Sequence, residues 1–116
     1  MQNDFFKDPK TIHETDPTPI ERAIAGKPQV FRFVEDPGHG WLEVPRYLVE
    51  QYGIADKISS CSYQDGKMVY LEEDCDMALF WNAYKARHDG ADPEYRTLLL
   101  NNEWPGRYRF ASYRSQ

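Results

Sequence analysis

The sequence predicts a single α+β domain in which an antiparallel β-sheet, built from hairpins, packs against two or three helices. Short stretches of alternating apolar residues are separated by turn residues, which is typical of β-hairpins. Other stretches repeat apolar residues every three or four positions, which is typical of helices. The chain has 116 residues, the size of one domain. We expect residues 17–116 to form that domain and the mixed, polar residues 1–16 to be loosely ordered.

The first half of the chain predicts a short helix, a hairpin and a second helix. A Thr-Pro start predicts a helix over residues 19–25. Residues 30–34 and 41–44 are rich in strand formers and flank a turn, so they predict two antiparallel strands. Pro45 then opens a helix that runs to Tyr52. Its inward face is one of two sets: Tyr47, Leu48 and Tyr52, or Leu48, Val49 and Tyr52.

The middle of the chain predicts a hairpin that leads into the longest helix. Residues 58–63 and 67–72 read as strands around an Asp-Gly turn. Asp74 is the expected N-cap of a helix that runs to about Arg87, and Gly90 is the expected stop. The helical spacing predicts one buried stripe, formed by Met77, Phe80, Trp81 and Tyr84.

Composition limits the function classes. There are 14 basic and 19 acidic residues, and the net charge of −5 argues against broad, nonspecific nucleic-acid binding. No apolar run approaches the roughly 20 residues of a membrane helix, and no signal peptide is recognisable. We therefore expect a cytoplasmic protein with reduced thiols and no membrane contact. Cys61 and Cys75 could pair, but small buried hydrophobes are the simpler expectation.

Two motifs could carry chemistry. His39 stands between glycines in a turn, where an imidazole can serve as a general acid–base or a metal ligand, or simply bond the backbone. The carboxylates of Glu72, Glu73, Asp74 and Asp76 could hold a cation, contact Lys or Arg of a partner, or complement a helix start. Their spacing matches neither an EF-hand nor a P-loop, so the sequence predicts no metal and no other cofactor.

Aromatic residues supply further candidate contacts. Rings such as Trp41 and Tyr63 could be partly exposed, as binding hot spots are. Residues 95–100 and 107–113 predict the last two strands. Near the second of these strands, arginines alternate with aromatic residues, a pattern that can bind single-stranded nucleic acid: Arg107, Arg109 and Arg114.

One sequence pattern resembles a known family. It consists of HGWL and VP within residues 39–45, Gly53-Ile54, Ser62-Tyr63, and VYLEED followed by Asp76. Over roughly residues 36–86 it is similar to a small uncharacterised bacterial family found in phages, plasmids and integrated elements of proteobacteria. The family has no established activity, so the resemblance implies no catalytic role. It implies a mobile-element setting, where small acidic proteins often inhibit host defence, anti-CRISPR proteins included.

These observations favour a non-catalytic protein-interaction module over an enzyme. Its predicted contact residues are the four acids at 72–76 together with His39, Trp41 and Tyr63. The predicted partner is a protein, and the mobile-element setting favours a nucleic-acid-binding defence effector. One alternative is a small enzyme or metal-binding domain that uses His39 and the acids. The other is nucleic-acid binding through the three arginines, which the negative charge disfavours.

Overall fold

A computed structural model describes residues 29–114, so the predicted helix over 19–25 and the predicted loose segment 1–16 lie outside the described residues. Within that part, one 3₁₀ turn (Ala55–Lys57) accompanies three helices, α1 (Arg46–Gln51), α2 (Met77–Arg87) and α3 (Gly106–Arg109). The strands are β1 (Phe31–Glu35), β2 (Gly40–Pro45), β3 (Tyr63–Asp65), β4 (Met68–Glu72), β5 (Tyr95–Leu99) and β6 (Ala111–Ser112). No helix in this range is long and apolar enough to cross a bilayer.

The six strands form one open sheet in the order β5-β1-β2-β4-β3-β6. Its neighbours are antiparallel except β1 and β5, which run parallel. The predicted α+β class and the hairpin of β1 and β2 are confirmed. A hairpin also forms around the predicted Asp-Gly turn, although its first strand is displaced from the predicted range. A parallel neighbour requires a crossover connection, and α2 lies on the path from β4 to β5. The turn between β3 and β4 contains Gly66 at φ 57°, a conformation that glycine adopts without steric cost.

One face of the sheet packs against α1 and α2. The predicted alternative with Leu48, Val49 and Tyr52 inward is the observed one, since Tyr47 is 46% exposed. Phe80 of α2 is fully buried, with its ring 5.1 Å from the ring of Phe31. The rest of the predicted stripe on α2, Met77, Trp81 and Tyr84, is only partly buried against this core. We call this side the helical face.

The opposite side, the second face, is covered by the chain from Leu100 to Phe110. Its core consists of Val34, Trp41, Tyr70 and Trp104. The cover is tied down by one buried hydrogen bond, in which the backbone N–H of Trp104 donates to Asp36 Oδ2 at 2.8 Å. The same carboxylate accepts from the backbone N–H groups of Gly38 and His39. Asp36 therefore positions both the β1–β2 turn and the cover.

The predicted strand over residues 107–113 is wrong in its first half. Residues 106–109 form α3, and only Ala111 and Ser112 remain as β6. Pro105, whose φ of −62° suits a helix start, accepts hydrogen bonds from the N–H groups of Tyr108 and Arg109. A Glu103–Arg107 ion pair with i,i+4 spacing adds support. Local helix formation thus outweighs the alternating pattern.

The predicted strand over residues 58–63 is also largely wrong, because only Tyr63 of that range lies in β3. Both Ser59 and Ser62 instead donate hydroxyl hydrogen bonds to Asp76. Such side-chain bonds compete with a strand ladder. They also explain why α2 begins at Met77 rather than near Asp74. Asp76 occupies the N-cap position, but its carboxylate is held by the serines and makes no cap hydrogen bond to the helix backbone.

Candidate functional site

A pocket of about 360 Å³ lies on the second face, where β2, β3 and β4 meet α3 and the turn that follows β4. Trp41 and Glu72 are cross-strand partners between β2 and β4, which places their side chains on the same face. The described residues that line it are His39, Trp41, Cys61, Tyr63, Glu72, Asp74, Cys75 and Arg107. Five of the seven predicted partner-binding residues therefore lie together.

His39, one of the predicted contact residues, lies at the rim of this pocket. Asp36 fixes the turn by accepting from the His39 backbone N–H at 2.8 Å. The imidazole Nδ1 lies 3.5 Å from Glu72 Oε2, and its side chain is 44% exposed whereas that of Glu72 is 10% exposed. Glu72 Oε1 also accepts from the Asp74 N–H at 2.7 Å. The imidazole is thus beside a carboxylate in a concave site, slightly beyond ordinary hydrogen-bond distance.

The predicted acidic cluster is divided by the structure. Glu72 and Asp74 line the pocket. Glu73 lines a separate cavity of about 100 Å³ beside Phe33 and Trp81. Asp76 is 3% exposed, and it accepts three hydrogen bonds, from the hydroxyls of two serines and from one of their backbone N–H groups. The exposed acids are therefore Glu73 and Asp74, and a surface role predicted for Asp76 conflicts with its burial.

The electrostatic potential around the acids at 72–76 is negative. Burial raises the pKa of Glu73, and the charges of Asp74, Glu35 and Glu72 raise it further. Among the described lining residues, the one arginine is Arg107, which donates from Nη1 to Glu103 Oε2 at 2.9 Å. A charge-paired arginine offsets little of the negative field. Between residues 29 and 114, no group of three or more His, Cys, Asp or Glu side chains is arranged to hold a metal ion.

Aromatic rings form one wall of the pocket. Trp41 is 2% exposed, with its ring 4.5 Å from that of Trp104 and 6.4 Å from that of Tyr63. The Trp41 Nε1 donor is buried and has no hydrogen-bond partner among the described residues. Contrary to the sequence expectation, Trp41 is therefore an interior ring that reaches the pocket wall. Tyr63, which also lines the pocket, is partly buried.

Sequence reasoning missed the contribution of the two cysteines. Cys61 and Cys75 are both exposed, so the expectation that they are small buried hydrophobes is wrong. Their sulfur atoms lie 2.7 Å apart, with Cys75 as the hydrogen-bond donor. This bond, followed by desolvation and by Glu72, raises the pKa of Cys75 to about 12. No local pattern marks the pair, because its closeness depends on how the chain around Cys61 packs against the turn after β4.

The predicted nucleic-acid arginines do not form one row. Arg107 and Arg109 lie on α3, and only Arg107 lines the pocket. Arg114 donates from Nη2 to the backbone oxygen of Asp56 at 2.7 Å. The alternating strand on which this alternative depended is therefore absent from the described range.

No family model, no curated protein and no solved structure matches this chain. The resemblance of the HGW, VP and YLEED pattern to a mobile-element family therefore stays a prediction.

Proposed function

We propose that the protein is a non-catalytic interaction module whose pocket receives a basic side chain of a protein partner. The observation that carries the proposal is the placement of the Glu72 and Asp74 carboxylates in one pocket with the rings of Trp41 and Tyr63. Carboxylates form charge-assisted hydrogen bonds with guanidinium and ammonium groups. Aromatic faces attract the same cations through their quadrupoles. A lysine or arginine side chain matches both features.

The charge balance of the pocket supports a cationic occupant. Burial raises the pKa of Glu73, and the neighbouring charges of Asp74, Glu35 and Glu72 raise it further, so these carboxylates disfavour additional negative charge nearby. The Arg107 guanidinium is already paired with Glu103. A cation entering the pocket would reduce the repulsion among the acids, whereas an anion would increase it. Steering by the net charge of −5 would also speed association with a basic surface.

The partner proposed on these grounds is a protein with exposed lysine or arginine side chains. Within that class, the sequence resemblance favours a nucleic-acid-binding defence effector in the bacterial cytoplasm, with this protein as its inhibitor in the manner of anti-CRISPR proteins. Grooves that bind nucleic acid are lined with Lys and Arg that neutralise phosphates. An acidic module could occupy such a groove in place of nucleic acid.

The test is an NMR titration with a capped tripeptide that carries one arginine between two glycines. The control peptide carries citrulline, which keeps the shape of arginine and removes its charge. We expect the arginine peptide to shift the side-chain signals of Trp41, Tyr63 and His39, and salt to weaken the effect. The citrulline peptide should shift them far less. Equal shifts with both peptides would contradict a cation site.

Two adjacent charge reversals localise the binding. Asp74→Lys changes a pocket carboxylate, whereas Glu73→Lys makes the same charge change on the side of the other cavity. Both side chains are exposed, so both variants should fold. We expect Asp74→Lys to abolish the arginine-dependent shifts and Glu73→Lys to weaken them modestly through the shared field. Equal losses would indicate a diffuse acidic surface instead of a pocket.

A second candidate, catalysis at His39, is favoured by one observation: its Nδ1 lies 3.5 Å from Glu72 Oε2 within the pocket. A thiolate nucleophile at Cys75 is disfavoured, because the pKa of Cys75 is raised to about 12. The two readings separate experimentally. If His39→Ala abolishes the biological activity of the folded protein while Asp74→Lys does not, the pocket is catalytic. A reversible fall in melting temperature with EDTA would indicate a metal-dependent variant of that reading.

A further inference from the structure

We infer that Cys61 and Cys75 form a reversible redox-modification site, at which a low-molecular-weight disulfide such as oxidised glutathione converts the two thiols into an intramolecular disulfide. The two Sγ atoms lie 2.7 Å apart, and an S–S bond is about 2.05 Å long. Both residues are exposed, so a small oxidant can reach them. This inference does not depend on what the pocket binds.

The pair is held together by the residues around it. Ser59 and Ser62, which flank Cys61, both donate to Asp76 Oδ2, at 2.8 Å and 2.6 Å. The backbone N–H of Ser59 donates to the same oxygen at 3.1 Å. Asp76 is the residue after Cys75, so one buried carboxylate joins the two cysteine-bearing segments. Bond formation would then require little movement of the backbone.

Further hydrogen bonds hold the Cys61 side of the pair. The backbone N–H of Cys61 donates to Ser59 Oγ at 3.1 Å. Ser62 Oγ accepts from the backbone N–H of Glu72 at 3.1 Å, which ties the same segment to the end of β4. Positioning of this kind raises the effective concentration of one thiol at the other, as it does for any intramolecular reaction.

The reaction proceeds by two thiol–disulfide exchanges. The Cys61 thiolate attacks one sulfur of oxidised glutathione, which breaks its S–S bond and releases one glutathione thiolate. Cys75 then loses its proton and attacks the Cys61 sulfur of the mixed disulfide, which releases the second glutathione. In total, two cysteine thiols are oxidised to one disulfide, and one molecule of oxidised glutathione is reduced to two thiols. Excess glutathione reverses both steps.

The structure assigns different roles to the two cysteines. The contact with Cys61, followed by desolvation and by Glu72, raises the pKa of Cys75, which favours Cys61 for the first attack. The Glu72 side chain lines the same pocket as the Cys75 thiol. Its carboxylate is therefore placed to accept the Cys75 proton in the second step. Cys75 is thus the resolving thiol, which releases the mixed disulfide.

The experiment equilibrates the full chain with mixtures of reduced and oxidised glutathione, followed by acid quenching, alkylation and intact-mass measurement. We expect two species for the native chain, the dithiol that carries two alkyl groups and the internal disulfide that carries none, with little mixed disulfide. Dithiothreitol should restore the dithiol. The variants Cys61→Ser and Cys75→Ser should each accumulate the glutathione adduct, because neither can resolve it. Persistent glutathione adducts or disulfide-linked dimers of the native chain would overturn the inference.

A matched pair of serine variants tests the positioning. Ser59→Ala removes a hydroxyl that contacts both Asp76 and the Cys61 backbone. Ser60→Ala changes an exposed neighbour that accepts from the Ser112 hydroxyl through its backbone oxygen. We expect Ser59→Ala to shift the equilibrium roughly tenfold toward the dithiol and Ser60→Ala to leave it unchanged. If both variants show the same dithiol–disulfide equilibrium, Asp76 does not position the two cysteines. A failed arginine titration would leave these thiol measurements unaffected, so the two proposals fail separately.

Discussion

The two faces of the sheet differ in how they are held together. The helical face buries aliphatic and aromatic side chains against α1 and α2, and its centre is the fully buried Phe80. The second face buries the carboxylates of Glu43 and Asp36, and its cover is an irregular segment with one short helix. The free energy gained from apolar packing is roughly proportional to the buried area and does not depend on direction. A buried carboxylate, in contrast, requires specific hydrogen-bond or charged partners. The pocket lies on the face that depends on specific partners.

The largest effect should come from the helical face. Phe80 contacts the rings of Phe31 and Tyr52, with centroid distances of 5.1 Å and 5.3 Å. We expect Phe80→Ala to lower the free energy of unfolding by about 3–5 kcal/mol through lost transfer energy and a residual cavity. Chemical denaturation measures the change. A loss below about 1 kcal/mol would mean that this face does not dominate stability.

A smaller effect should come from the anchor of the second face. Asp36→Ala leaves the buried N–H of Trp104 without its acceptor, and such a group costs roughly 1–3 kcal/mol. We expect a loss of about 2–3 kcal/mol, because the turn at Gly38 and His39 loses the same acceptor. Signals of Trp41 and Tyr63 should shift as well, since the cover borders the pocket. If the NMR signals of the pocket residues are unchanged, Asp36 does not help to position the pocket.

The pH dependence of this anchor has a definite sign. Burial acts to raise the pKa of Asp36, but hydrogen bonds from the N–H groups of Trp104, Gly38 and His39, helped by the charge of His39, lower it below its usual 3.8. A carboxyl group whose pKa is lower in the folded state contributes stability that is fully present above its pKa in the unfolded state. That stability is lost as the pH falls through the pKa of the folded state. The stability gap between the native protein and Asp36→Ala should therefore narrow below about pH 4. A gap that is constant down to pH 2 would contradict the charged anchor.

Substitution of Glu43 should change stability least. The pH dependence that Glu43 contributes should have the opposite sign to that of Asp36. Burial raises its pKa above 4.5, opposed by the Tyr70 hydrogen bond and the charge of Arg32. The stability that Glu43 contributes is fully present below its pKa in the unfolded state. It is lost as the pH rises through its pKa in the folded state. Glu43→Gln keeps an acceptor for the Tyr70 hydroxyl, which lies 2.8 Å from Glu43 Oε2. At neutral pH we expect a change within about 1 kcal/mol.

Denaturation of native protein and Glu43→Gln across pH checks this sign. As the pH rises above 4.5, the stability of the native protein should fall relative to that of Glu43→Gln. The reverse trend would mean that Arg32, whose Nε lies 3.9 Å from Glu43 Oε1, stabilises the carboxylate more than burial penalises it.

Local sequence patterns predicted the parts of the fold that depend on neighbouring residues. The hairpin of β1 and β2, the Asp-Gly turn before β4, the stop of α2 near Gly90 and the burial of Phe80 all follow from turn chemistry and apolar spacing. The sequence also singled out His39, Glu72 and Asp74, which the structure places in one pocket. Residue type and local spacing were sufficient for these predictions.

Tertiary structure decided what depends on distant residues. The serines near Cys61 bond to Asp76 instead of extending β3, and α3 forms where an alternating pattern predicted a strand. Strand order sets Trp41 opposite Glu72, and side-chain packing brings Cys61 to within 2.7 Å of Cys75, 14 positions along the chain. A sequence pattern records which face a residue prefers, but only the strand register and the folded path of the chain determine which residues share that face. The pocket and the thiol pair are therefore properties of the folded chain.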